Sequence, residues 1–277
     1  PLPNEYNGDQ TSRQQWEAIS QGLERLDGRL TYIACQGNHD LGYIAAEHRY
    51  SQMPDYIYPE RNSEFAKTLV ATGANYQGVH TMENSAYEFH DNAWGDLLVI
   101  SFEFAPRDEA LDWARQLIES KRFVNHKVII LTHSFLATNG ERIVEEGYKL
   151  TPRNWAQAVW EKLIYPSKNV YMVLCGHTGN TPKLEGDGKV DYQPTTSYRV
   201  DKAADGRNVV QMMFNSQCGD GSWNGNGGDC WLRILEFKPD GKTIGVRTFS
   251  PLFAISRRTQ QLAWRTDAYD QFEIVLE

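Results

Sequence analysis

Leu30-Thr31-Tyr32-Ile33-Ala34-Cys35-Gln36-Gly37-Asn38-His39-Asp40 is the stretch on which the reading of this chain turns. Its first half is an apolar run that predicts a short buried strand, and Gly-Asn-His-Asp follows it at once. Two further runs end in the same way. Lys127-Val128-Ile129-Ile130-Leu131-Thr132 closes on His133, and Val170-Tyr171-Met172-Val173-Leu174-Cys175-Gly176 closes on His177. Three predicted strands thus deliver an imidazole at the C-terminal end, where open α/β sheets place their ligands. The first also delivers the Asn38 amide. A lone strand-end histidine is most often a core residue satisfied by a backbone carbonyl. Three in a chain with 7 histidines form a set.

The donor types set the chemistry. Neutral imidazole nitrogen with amide or carboxylate oxygen suits zinc, manganese or iron(II). An ion held there can polarise a phosphoryl oxygen and lower the pKa of a bound water. The order Gly37-Asn38-His39-Asp40, Thr132-His133-Ser134 and Gly176-His177-Thr178-Gly179 resembles the calcineurin-like metallophosphoesterase superfamily. Gln15-Trp16-Glu17, Leu26-Asp27-Gly28, Phe102 to Asp108, Leu111-Asp112-Trp113-Ala114 and Trp231 to Phe237 are similar to its bacterial members. The likeness covers roughly residues 10 to 275. It implies that Asn38, His133 and His177 bind a metal ion. His39 would not be a ligand but the acid that protonates the leaving group, with Asp40 orienting it and raising its pKa.

The departures are as informative. The Asp-x-His that holds the superfamily's first metal is missing. The only nearby Gly-Asp that could bridge two metals is Gly8-Asp9, and Pro1-Leu2-Pro3-Asn4-Glu5-Tyr6-Asn7 before it cannot make a buried strand. Asp9 therefore reads as a loop residue ahead of a helix and as a doubtful ligand. Gly179 stands where the last first-metal histidine belongs, and glycine has no side chain to donate. The expectation is one metallophosphoesterase domain over residues 1–277, its first strands lying upstream, with one or two divalent ions and a nonstandard site.

Composition agrees with a globular enzyme. Apolar residues make up 40% and charged residues 23% of the 277, ordinary values. No run approaches the roughly 20 apolar residues of a membrane span. The net charge of −8 argues against a nucleic-acid-binding face, whereas metals supply local positive potential to a phosphoesterase.

Along the chain, strands alternate with helices and then strands follow alone. Trp16, Ile19, Leu23 and Leu26 predict a helix over 12–26, with Ser12 and Gln15 as a capping box and Gly28 as its stop. Residues 97–104 predict a strand, and 108–120 a helix capped by Asp108. Thr151-Pro152 predicts the start of another helix with Trp155, Val159 and Leu163 on its apolar stripe. Residues 208–214, 231–237, 243–249 and 272–276 predict strands, and Lys238-Pro239-Asp240-Gly241-Lys242 a hairpin. This pattern fits the superfamily's four-layer α/β/β/α sandwich, two mixed sheets flanked by helices.

Asn215 to Cys230 is too glycine-rich for regular structure, and Trp223 within it is a candidate stacking surface for substrate. Asp220, Ser222 and Asn224 resemble a calcium loop whose closing glutamate is missing, position 231 being Trp. Cys218 and Cys230 bracket the loop and are placed to form a disulfide; with the absent initiator methionine, this points to a secreted, periplasmic or cell-surface location. Cys35 and Cys175 read as apolar fillers, His48 as a solvated loop residue, and His80, His90 and His126 as surface residues. Arg107 and Asp108 read as a cap and a structural ion pair. The reading is hydrolysis of a phosphate mono- or diester on a small-molecule or macromolecular substrate. The alternatives are a metallophosphoesterase fold that has lost catalysis and binds or scaffolds, and a mononuclear metal hydrolase of another ester.

Overall fold

A seven-stranded mixed sheet organises the molecule. The computed structural model describes residues 10–179, 183–184, 190–191, 195–217 and 228–276. Helix α1 (Ser12–Glu24) is followed by the short α2 (Met53–Tyr56) and α3 (Phe65–Thr68). The strands then begin: β1 (Leu69–Ala74), β2 (His80–Asp91) and β3 (Gly95–Ser101). Helix α4 (Asp108–Glu119), β4 (Lys127–Leu131), α5 (Ala156–Val159) and β5 (Val170–Cys175) come next. Two-residue β6 (Lys183–Leu184) and β7 (Val190–Asp191) pair with each other, and β8 (Thr195–Lys202) and β9 (Asn208–Asn215) complete the large sheet. Its order is β1-β2-β3-β4-β5-β9-β8. The four central strands β3, β4, β5 and β9 are parallel, and antiparallel pairs close both edges.

Period-two alternation explains the layers. In β4, Val128 and Ile130 face one side and Ile129 the other. Val128 and Ile130 join Leu98, Ile100, Leu111, Ala114, Ile118, Val159 and Leu163 in a core beneath α4 and α5. Ile129, Met172, Val210 and Met212 pack instead on Ile244, Val246 and Ile274 of a second sheet. That sheet consists of β10 (Leu232–Phe237), β11 (Thr243–Phe249), β12 (Trp264–Arg265) and β13 (Phe272–Val275), all antiparallel to β11. Each aliphatic side chain so buried contributes roughly 1.5–3 kcal/mol. The fold is the expected mixed α/β arrangement of two sheets flanked by helices, with short α6 (Pro251–Ala254) on the second sheet's side of the chain. Among the described residues, no helix is long and apolar enough to cross a membrane.

Several local expectations are corrected. Residues 30–35 join no strand ladder. The segment reaches the end of β3, where Ser101 Oγ donates to the Ala34 carbonyl, and both edges of β3 are already filled by β2 and β4. Helix α1 is capped one residue earlier than expected, by Thr11 with Gln14. Arg107 is the residue before α4 and makes no side-chain cap; Asp108 instead accepts from Asn154 and Lys162. The third helix starts at Ala156, four residues beyond Pro152. His126 is buried and meets Glu88 at 2.8 Å, whereas His80 and His90 are exposed as expected.

Strands β1, β2 and β8 were not expected. Thr81 to Tyr87 of β2 is buried along its whole length although it contains Glu83, Asn84 and Ser85. Buried polar groups need partners, and these have them. Glu83 accepts from Gln36 Nε2 at 2.7 Å, Asn75 Nδ2 at 2.8 Å and Thr81 Oγ1 at 2.8 Å. Asn84 exchanges bonds with Glu103, accepting from its N–H at 3.0 Å and donating to its carboxylate at 3.1 Å. Glu103 in turn pairs with Arg107 at 2.8 Å and Arg49 at 3.5 Å. Burial pulls the Arg49 guanidinium down to about 10.

Removing Glu103 strands two buried guanidinium groups. Glu103→Ala is expected to lose about 3–5 kcal/mol of stability in urea titrations; a loss below about 1 kcal/mol would show that the pair relaxes into solvent.

Candidate active site

Parallel neighbours bring their C-terminal ends together, so β4 and β5 place His133 and His177 side by side, with ring centres 4.9 Å apart. His133 Nε2 lies 3.2 Å from His177 Nδ1 and 3.0 Å from Asn38 Oδ1. Asn38 is 3% exposed and donates its amide N–H to Tyr148 Oη at 3.0 Å, which turns Oδ1 toward the imidazoles. The ring of His133 lies against Gly37, where a Cβ would come within 3.1 Å of it. A side chain there would have to push the ring back by a few tenths of an ångström.

Four supports fix this cluster. Gln36, immediately before the turn, links Glu83 of β2 to the Phe104 N–H, which donates to its Oε1 at 3.2 Å. The Phe104 ring then sits 5.9 Å from both imidazoles and 5.3 Å from Tyr148, an apolar floor that excludes water. His177 holds φ +70°, a left-handed conformation that is uncommon outside glycine. Asn215, at the end of β9, donates to the carbonyls of His177 and Thr178 and secures it. Finally, His177 Nε2 meets Glu146 Oε1 at 3.0 Å. A carboxylate can only accept, so the proton sits on Nε2 and the Nδ1 lone pair faces His133.

Burial, reinforced by the charges His177 and His39 would carry, pushes the His133 imidazole down to about 3, so it is neutral. Asn38 Oδ1 and His177 Nδ1 thus both lie within 3.2 Å of His133 Nε2, three polar atoms joined at most by one proton on His133 Nε2. Donors about 2.1 Å from a divalent ion stand roughly 3 Å apart, so this set fits one such ion. Glu146 Oε2, buried beside it with no hydrogen-bond partner, is a further acceptor that a proton or cation would satisfy. Among the described residues no group of three or more His, Cys, Asp or Glu could hold a metal, and Gly179 offers no donor.

His39 is exposed at the rim, and its Nδ1 meets the Ile44 carbonyl at 2.8 Å. The partner expected from Asp40 is absent from this ring nitrogen: Asp40 Oδ2 instead accepts the Gly37 N–H at 2.8 Å and closes the turn. Burial raises the Asp40 carboxyl above its ordinary value. His48 packs edge-on between Tyr43 and Tyr50. Asp9, Trp223, the Asp220–Asn224 loop and Cys218 lie outside the described residues. Sequence reasoning missed Glu146, Tyr148 and Asn215. Asn215 carried a usable signal, a polar residue ending a predicted strand.

The calcineurin-like phosphoesterase profile matches residues 6–180. The chain belongs to the calcineurin-like phosphoesterase family. It is 24% identical over 279 aligned residues to the uncharacterized protein YvnB of Bacillus subtilis (strain 168), covering 97% of this chain and 18% of that protein. The chain thus spans less than a fifth of its relative's length. The NAD nucleotidase NadN of Haemophilus influenzae overlaps 66% of this chain and 28% of its own at 8% identity and a TM-score of 0.30, a distance at which the likeness says nothing of activity.

The depressed His133 has a pH consequence. The unfolded chain binds its proton below the ordinary 6.5 and the folded one only near 3, so its contribution to stability is complete above pH 6.5 and is lost as pH falls toward 3. Metal-free protein is expected to show a steeper stability loss across that window than His133→Gln in parallel urea titrations; equal slopes would show an imidazole that protonates in place.

Proposed function

We propose that this family member hydrolyses phosphate esters with a divalent zinc, manganese or iron ion held by Asn38, His133 and His177. The approach of Asn38 Oδ1 and His177 Nδ1 to His133 Nε2, at 3.0 and 3.2 Å, carries the reading. When bound, such an ion supplies polarisation of a phosphoryl oxygen and a water of lowered pKa. The residues of the chain do the rest. Glu146 keeps the His177 tautomer correct, Tyr148 turns the Asn38 oxygen inward, and Phe104 keeps water from beneath.

His39 is the acid. Its Nδ1–H donates to the Ile44 carbonyl, so Nε2 is the nitrogen left to face the leaving oxygen. Protonated there, it delivers its proton as the phosphorus–oxygen bond breaks, and the ester leaves as a neutral alcohol. Asp40 fixes the turn that carries His39 by holding the Gly37 N–H. Its role is therefore to position the backbone of the acid.

A second reading, a binding or scaffold protein without turnover, is favoured by one observation: the described donors are two imidazoles and a neutral amide, and the one carboxylate beside them, Glu146, already spends Oε1 on His177 Nε2.

Metal analysis with turnover separates the two. His39→Ala is expected to cut phosphatase turnover by about 10²–10⁴-fold while bound metal is unchanged. His133→Ala and His177→Ala are expected to lose both. Metal lost from His39→Ala would make it a ligand and not the acid; native protein that holds metal tightly yet turns over no ester would establish the scaffold.

A further inference from the structure

Asp40 is engaged by the Gly37 N–H, so His39 Nδ1 lacks the carboxylate partner that commonly orients a working imidazole. Ile44 leads to one. Its carbonyl accepts from His39 Nδ1 at 2.8 Å, and that carbonyl shares a peptide plane with the Ala45 N–H. The Ala45 N–H in turn donates to Glu47 Oε2 at 3.2 Å. One rigid peptide unit thus has the imidazole at its oxygen end and a carboxylate at its nitrogen end.

The turn is built around that carboxylate. Glu47 also accepts the N–H groups of Tyr43 at 3.0 Å and Ile44 at 3.1 Å, so three consecutive peptide units aim their donors at one side chain. Gly42, at φ +74°, makes room for it: a Cβ there would come within 2.8 Å of the Glu47 nitrogen and collide with the carboxylate. Other bonds fix the turn to the rest of the protein. Leu41 and Ser51 form an antiparallel bridge. The Ala46 N–H donates to the Leu41 carbonyl at 2.8 Å, and the Ala46 carbonyl accepts from the Leu150 N–H at 3.0 Å. Burial alone would raise the Glu47 carboxyl, but the N–H groups of Ile44, Ala45 and Tyr43 outweigh it and hold the group below its ordinary value, so the acceptor is the ionised form.

An anion at the N–H end of a peptide makes its carbonyl a stronger acceptor, because hydrogen bonds in a chain polarise one another. A stronger acceptor keeps the ring proton of His39 on Nδ1 and leaves Nε2 to face the leaving oxygen. No proton travels through the peptide; what it passes on is orientation and charge. We propose that Glu47 is a positioning residue for the acid, acting on His39 through the Ile44–Ala45 peptide in the place that Asp40 leaves open. The inference rests on the hydrolytic reading above and adds a residue to it.

The test reads the ring first and the reaction second. Nitrogen NMR of the full chain, labelled at histidine and with zinc added, is recorded in alkaline buffer, where imidazoles are neutral. The His39 signals, assigned by their loss in His39→Gln, are expected to show the proton on Nδ1 in the native chain and largely on Nε2 in Glu47→Gln. A native proton on Nε2, or a Glu47→Gln ring identical to the native one, overturns the proposal. Should Glu47→Gln not fold, Gly42→Ala displaces the same carboxylate and carries the same expectation. In the second arm, kcat is compared for 4-nitrophenyl phosphate, whose leaving group departs without a proton, and for glycerol phosphate, whose alkoxide needs one. Glu47→Gln is expected to raise the ratio of the first to the second about tenfold, a part of what a general acid supplies, with KM and bound zinc as in the native chain. Equal losses on both esters would be a merely structural effect and overturn the proposal. A proton that moves to Nε2 in a chain that turns over no phosphate mono- or diester would uphold the link from Glu47 to His39 and defeat the hydrolytic reading. Ratio and ring both unmoved in an active enzyme would do the reverse.

Discussion

The site depends on a proton shortage. Asn38 Oδ1 and His177 Nδ1 lie 3.0 and 3.2 Å from His133 Nε2, and a single proton on that nitrogen can serve only one of them well. His177 Nε2 is turned to Glu146 Oε1 on the far side of its ring, which leaves its Nδ1 to meet His133 across the cluster. Such a cluster is stable only with that proton shared or with a cation in its place. Everything around it enforces the close approach: the missing side chain of Gly37, the left-handed His177, and the Phe104 ring beneath.

The close approach is held from below by buried charge. Gln36 connects Glu83 to Phe104, and Glu103 connects Asn84 to Arg107 and Arg49. Arg49 also donates to the Phe104 and Pro152 carbonyls, so one side chain ties the segment after β3 to the segment before α5. Burying ion pairs rarely adds stability over apolar packing. What these pairs add here is position, because each ends on the backbone that carries a site residue.

Legibility followed the physics of each element. The strands ending in His133 and His177 are buried on both faces, so their apolar runs are continuous and readable. Strand β2 is equally buried but spends its interior on Glu83, Asn84 and Ser85, and a polar run gives no hydrophobic period to read. Residues 30–35 erred in the opposite direction: an apolar run of that length does not reveal whether a neighbouring edge is free to pair. The histidines and Asn38 were visible because strand ends concentrate function. Glu146 and Tyr148 were not, because they come from an irregular segment after β4 whose path depends on Arg153, which donates to the Tyr148 and Leu150 carbonyls.

Charge narrows what the site can do with a phosphate. The chain carries a net −8, and the buried guanidinium groups of Arg49 and Arg107 are committed to Glu103 and to backbone carbonyls. No arginine fork is therefore free in that network to bind phosphoryl oxygens in bidentate fashion. On the proposed reading, attraction for the anion then falls to His39 and to whatever cation sits between Asn38 and the two imidazoles. On that reading a substrate that brings few charges of its own suits such a surface better than a polyanion, since each further phosphate adds repulsion from the whole chain while gaining no fixed partner in that network.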